Sequence, residues 1–143
     1  MSEHTAFSDA IENGDSQAVE SLIQQHPDLV NHPHWTPPPL HCAVLWNQPK
    51  IAEILLDNGA DIEIREPDRL TTPLRYAIVY CKTQMIPLLL SRGANAGSIA
   101  ENGTTALQLA RDAAAGGYEE YDDMPSLADY SEVVDLLQQL GVE

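Results

Sequence analysis

The sequence is short of basic residues: it has 7 Lys and Arg against 22 Asp and Glu, which gives a formal net charge of −15. A field of this sign repels phosphate backbones and anionic lipid headgroups, so counterion release cannot drive binding to them. We therefore expect neither nucleic acid nor a membrane as a partner. The charge instead favours another protein that is neutral or basic at the contact.

Cysteine, phenylalanine and long apolar runs are also scarce. Cys42 and Cys81 have neither metal-ligand spacing nor a disulfide framework around them, which is typical of buried thiols in a reducing compartment. No segment approaches the roughly 18–20 apolar residues that span a bilayer, and the N-terminus lacks the basic start of a signal peptide. We expect a cytoplasmic protein whose core consists of Leu, Ile, Val and Ala, with Phe7 as the single phenylalanine.

Motifs of known catalytic chemistry are missing as well. The sequence contains no G-x-S-x-G elbow, no H-E-x-x-H pair and no glycine-rich loop that could cradle phosphates. Neighbouring carboxylates such as Glu119 and Glu120 occur, but nothing around them indicates the burial that raises a pKa for acid–base work. We expect no enzymatic activity and no cofactor.

What the sequence does contain is an internal repeat. The segments 39–63 and 73–97 superimpose without a gap, and flanking segments fit the same frame. One set of equivalent positions recurs at a nearly constant interval, namely Ser8, His41, Arg75 and Gln108. Apolar residues within each unit have the i, i+3, i+4 spacing of a helix. Each unit is therefore predicted to be a helix, a turn, a second helix and an extended connection.

Proline and glycine mark the ends of these helices. Pro39 and Pro73 occupy the first turn of the first helix, where the missing N–H has no partner to lose. Gly59 and Gly93 follow the second helix, where a left-handed residue commonly ends the helix.

These residues carry a family resemblance. The motifs PLHCA (39–43), TPLRYA (72–77), LLDNGADIE (55–63) and LLSRGANA (89–96) resemble ankyrin repeats. The resemblance implies an all-α solenoid of stacked helix–turn–helix units with projecting hairpin fingers. It implies a single domain over 1–143, with units at about 4–35, 36–69, 70–102 and 103–143, the last interrupted by an acidic insertion at about 113–130.

Three features of the sequence depart from the family pattern. Pro38 stands where the family has a threonine, Arg75 replaces the motif histidine, and the first unit lacks the opening motif. By the same resemblance, His41 has the structural task of hydrogen-bonding backbone.

The resemblance implies a non-catalytic protein–protein interaction module that binds through its concave face and finger tips. Carried onto this sequence, the family's contact positions in the first unit are Glu12 and Asn13. Those in the later units are His32, His34, Trp35, Pro37, Leu45, Trp46, Glu66, Asp68, Arg69, Val79, Tyr80, Glu101, Asn102 and Asp112. Both tryptophans fall on positions that repeat packing does not require, and we interpret them as part of an aromatic patch. The competing interpretation is that Trp35 and Trp46 pack on each other.

Two further alternatives stay open. The acidic insertion is either a solvated loop or an acidic mimic that occupies a basic site on its target through Tyr118, Glu119, Glu120, Tyr121, Asp122 and Asp123. A metal site on His26, His32, His34 and His41 is disfavoured because the repeat frame puts these residues on different faces. We expect no bound metal, and a monomer rather than a homo-oligomer.

Overall fold

A computed structural model describes residues 3–32, 37–66, 71–97, 103–117 and 125–142. Its contacts divide the chain into two compact units, residues 1–73 and 74–143. We describe each unit by itself.

The first unit consists of two helix pairs joined by a short 3₁₀ helix at Pro27–Asn31. Asp15 caps the second helix, since its side chain accepts a hydrogen bond from the Ala18 N–H at 3.1 Å. The helices are α1 (Glu3–Asn13), α2 (Ser16–Gln25), α3 (Pro39–Leu45) and α4 (Pro49–Asp57). Phe7, Ile11 and Leu55 are fully buried among them.

The second unit repeats this arrangement and ends in a longer helix. Its helices are α5 (Pro73–Val79, starting at the boundary), α6 (Met85–Ser91), α7 (Ala106–Asp112) and α8 (Leu127–Gln139). The described residues contain no β-strand, so the predicted all-α class is confirmed. None of the helices in these ranges is long and apolar enough to cross a membrane.

The predicted helix ends are confirmed. Pro39 and Pro73 are the first residues of α3 and α5. Gly59 and Gly93 follow α4 and α6 with φ angles of 92° and 95°, in the left-handed region.

A second left-handed position recurs between the helices of the first three pairs, and the sequence patterns did not indicate it. Gly14, Asn47 and Cys81 have φ angles of 72°, 52° and 52°, and they occupy equivalent places in successive repeats. Each donates its backbone N–H three residues back, as in the 3.1 Å bond from Asn47 to the Val44 carbonyl. The turn that ends the first helix is therefore the same in the first three pairs, although only one of the three residues is glycine.

The last helix begins earlier than the apolar run at 131–141 predicts. Ser126 and Asp129 form a capping box in which each side chain bonds the other's backbone N–H. Before it, α7 continues into a π-helical turn over Ala113–Gly117, in which Gly116 has a φ of 101°. The predicted insertion is thus helical at both of its ends.

The side chains at the equivalent positions 41 and 75 form hydrogen bonds to the extended connections between helix pairs. The His41 Nε2–H donates to the Thr71 carbonyl at 2.6 Å, and the Glu66 N–H donates to the same oxygen at 3.1 Å. The predicted structural role of His41 is confirmed. Arg75 does the equivalent in the second unit, donating to the carbonyl and hydroxyl of Thr104 at 2.9 and 2.7 Å.

We predict that Gly59→Ala and Gly93→Ala each lower the free energy of unfolding by about 1–2 kcal/mol. The cost comes from the backbone, because L-residues are strained at these φ angles and nothing lies within 4 Å of the added Cβ. Chemical denaturation measures the change. Gly97→Ala is the matched control, since Gly97 has no positive φ; an equal loss there would contradict the explanation.

We also predict a pH dependence of stability that requires His41. Burial holds the pKa of His41 below its ordinary 6.5, although the bond to Thr71 and the nearby Glu66 act in the opposite direction. The unfolded chain therefore takes up a proton before the folded chain does as the pH falls below 6.5. Stability is retained above that pH and lost below it, by at most about 1.4 kcal/mol per pH unit for one proton.

The measurement is urea denaturation between neutral and mildly acidic pH. His41→Gln should remove this part of the slope, while His26→Gln, which changes a half-buried histidine 3.9 Å from Glu3, should leave the His41 part in place. If His41→Gln and the wild-type protein lose stability in parallel, His41 is not the titrating group.

Candidate functional site

The end of α3 carries an exposed tryptophan, the one tryptophan among the described residues. Trp46 is 47% exposed, and Leu45 beside it is half-buried. The Trp46 N–H still donates to the Cys42 carbonyl at 3.0 Å, and Trp46 is the C-cap residue of α3. Asn47 then takes its left-handed conformation and turns the chain. The indole therefore lies at a helix end that the backbone geometry fixes.

The finger before α3 is described only at its two bases. His32 and Pro37 are both half-buried. The His32 ring meets the His4 ring edge to face, with centroids 4.8 Å apart. His34 and Trp35 lie outside the described residues, so the packing of the two tryptophans on each other stays a prediction.

Glu66 does not lie on the accessible surface as the repeat frame implied. It is 6% exposed, its N–H is committed to the Thr71 carbonyl, and its charge acts on the His41 ring. The reason is that Glu66 lies where the two sides of the connection are bonded to each other, through the Glu66 N–H and the Thr71 carbonyl. Asp68 and Arg69 lie outside the described residues.

Two acidic side chains lie on the neighbouring helix: Glu12, which the resemblance predicts as a contact residue, and Asp9, which it does not. Asp9 and Glu12 are exposed on α1, which packs against α3. The Gln48 Nε2–H donates to the Glu12 carbonyl at 3.4 Å. A signal for this acidic face is present in the sequence, since no Lys or Arg occurs before Lys50.

In the second unit, Val79 and Tyr80 end α5 and are half-buried. The Tyr80 ring meets the Tyr76 ring edge to face with centroids 4.8 Å apart, and the Val79 carbonyl accepts a 2.6 Å bond from the Tyr130 hydroxyl. An open pocket of about 500 Å³ adjoins this helix end. It is lined by Tyr80, Cys81, Lys82, Thr83, Pro125, Asp129 and Glu132.

The chemistry of this pocket is not that of a nucleophile. Burial raises the pKa of the Cys81 thiol to about 12, the carboxylates of Asp129 and Glu132 act in the same direction, and Lys82 acts against them. The thiolate is the reactive form of cysteine. Cys81 therefore stays protonated at neutral pH, as does Cys42, whose pKa burial raises to about 11.

The remaining predicted residues belong to the last repeat. Asp112 is exposed at the end of α7 and accepts a bond from the Gln108 Nε2–H at 2.7 Å. Glu101, Asn102 and the acidic segment at 118–123 lie outside the described residues. Within the described ranges, no group of three or more His, Cys, Asp or Glu side chains is arranged to hold a metal ion.

Comparison with known proteins agrees with the helix pairs described above. Residues 2–66 match a family model described as ankyrin repeats in three copies. The chain is 33% identical over 92 residues to the putative ankyrin repeat protein FPV014 of fowlpox virus (strain NVSL), a match that covers 63% of this chain and 21% of the viral protein. It is 37% identical over 111 residues to NF-kappa-B inhibitor alpha of Sus scrofa, covering 73% of this chain and 30% of that protein.

The chain thus spans less than a third of the length of either relative. Ankyrin repeats generally mediate protein–protein interaction. The matched repeats, the two relatives and the described helix pairs together show that the chain belongs to the ankyrin repeat family.

Proposed function

We propose that this protein is a non-catalytic interaction module that binds another protein through the end of α3 and the finger tips. The observation that carries the proposal is the exposure of Trp46, 47% in a unit whose other large apolar side chains are buried or half-buried in the described ranges. Tryptophan is among the residue types most enriched at binding hot spots. His32, Pro37 and Leu45 border the same part of the unit in this proposal.

The physical chemistry supports a tryptophan anchor. The indole is held at the end of a formed helix, so binding would cost little further ordering. Covering the exposed half of an indole removes on the order of 100 Å² from water, which is worth about 2–3 kcal/mol. One such contact contributes a large share of a micromolar affinity, about −8 kcal/mol.

The relatives support the same class of function. NF-kappa-B inhibitor alpha is by its name an inhibitor of another protein. We extend to the present chain only the idea that its partner is a protein. We propose a cytoplasmic monomer, with a partner that is neutral or basic at the contact. In the second unit, Val79 and Tyr80 take the positions equivalent to Leu45 and Trp46, and Asp112 holds the corresponding place in the last repeat.

We predict that Trp46→Ala lowers capture of the native partner by at least about tenfold, because it removes the anchor. The measurement is quantitative affinity capture from the native cell extract, with wild-type protein beside the variant. Leu140→Ala is the matched control, since Leu140 is 43% exposed on a different helix end. Equal capture by the wild-type protein and a folded Trp46→Ala variant would contradict the proposal.

A deletion separates this function from the acidic-mimic alternative. Removing residues 118–123 should leave capture intact if the end of α3 is the site, and abolish it if those acidic residues fill a basic site on the target. Salt is a second discriminator, because a contact built on exposed charges weakens steeply with ionic strength.

A further inference from the structure

Two different rows of side chains lie next to each other on the first unit. On α1, Asp9 and Glu12 are exposed and three residues apart, so they share one face of the helix. On α3, Leu45 and Trp46 occupy the last helical turn. We call the first pair the acidic row and the second pair the apolar row.

The repeat frame aligns these two rows. Glu12 and Leu45 occupy equivalent positions in the first and second repeats, as Ser8 and His41 do. The helices α1 and α3 pack directly, and packed helices have axes about 8–10 Å apart. The hydrogen bond from Gln48 to the Glu12 carbonyl fixes the end of α1 beside the turn that follows Trp46. The end of α1, which carries Glu12, therefore lies beside the end of α3, which carries Leu45 and Trp46.

Charge decides what this surface can accept. Residues 1–49 carry six carboxylates and no Lys or Arg, and all 7 basic residues of the chain fall between Lys50 and Arg111. No Lys or Arg side chain from the segment that forms α1 to α3 is thus available to neutralise Asp9 and Glu12. A second copy of this chain would bring the same acidic surface and be repelled.

We propose that the acidic and apolar rows together bind a lysine or arginine side chain from an exposed basic segment of the partner. The aliphatic stem lies on Leu45 and the Trp46 ring, and the cationic head lies between Asp9 and Glu12. Lys and Arg side chains each consist of an apolar stem and a charged head. A cation placed over the face of a tryptophan ring is attracted to the ring. The proposal rests on the proposed function, since it names the partner chemistry at the same site.

The test uses a short Gly/Ser peptide with two arginines and the same peptide with citrulline at both positions, which keeps the shape and removes the charge. The protein carries Trp35→Phe, so that Trp46 is its only fluorescent indole. We expect the arginine peptide to quench Trp46 fluorescence with saturation. The citrulline peptide should bind at least about fivefold more weakly.

Matched charge removals distinguish a local contact from the general field of the protein. Glu12→Gln should weaken arginine-peptide binding about threefold, and Asp9→Asn combined with Glu12→Gln about tenfold. Glu20→Gln removes the same charge from an exposed position on α2 and should change binding less than twofold. All three carboxylates are exposed and the replacements are close in shape, so folding is checked simply by thermal denaturation.

Three results overturn the proposal: no binding of the arginine peptide, equal binding of both peptides, or equal effects of Glu12→Gln and Glu20→Gln. Failure here is distinguishable from failure of the proposed function. If one of these three results is found and Trp46→Ala still lowers capture of the native partner, the tryptophan is the anchor and the cation contact is wrong. If arginine-peptide binding depends on Glu12 while Trp46→Ala leaves capture unchanged, the cation contact is right and the partner uses another surface.

Discussion

The structure depends on one recurring hydrogen bond. A side chain on the first helix of a pair donates it to the carbonyl at the end of the following finger. In the first unit the Thr71 oxygen accepts from both the His41 ring and the Glu66 N–H. In the second unit the Arg75 guanidinium bonds the carbonyl and the hydroxyl of Thr104. Imidazole and guanidinium differ in charge and shape, yet both supply an N–H at the required place. In general, a buried carbonyl left with no donor at all costs about 1–3 kcal/mol.

That interaction also decides which residues face the solvent. Because this hydrogen bond holds the base of the finger in place, the Glu66 side chain is buried. Its position in the repeat is nevertheless that of a predicted contact residue. The left-handed residues that follow α3 and α5 have a comparable effect. Asn47 stops α3 directly after Trp46 and leaves the indole at the surface, while Cys81 stops α5 after Tyr80 and takes a conformation that L-residues adopt at a cost.

Surface charge is distributed along the chain in a way that suits a binding module. Lys and Arg occur only between positions 50 and 111, together with acidic residues. The segments before and after these positions carry carboxylates without Lys or Arg. A surface of one sign repels like surfaces and attracts cations. On the first unit this charge coincides with an exposed tryptophan, and the proposed site combines the two.

The sequence by itself determined the repeat, the helix pairs and the ends marked by Pro39, Pro73, Gly59 and Gly93, because these follow from periodicity and from backbone preferences that act locally. It also predicted the bonding role of His41. Only the tertiary structure decided the burial of Glu66, the partner that Arg75 finds in Thr104, and the left-handed turns at Asn47 and Cys81. These depend on contacts between distant parts of the sequence or on turns that packing imposes, and a side chain's identity does not report whether its neighbours cover it.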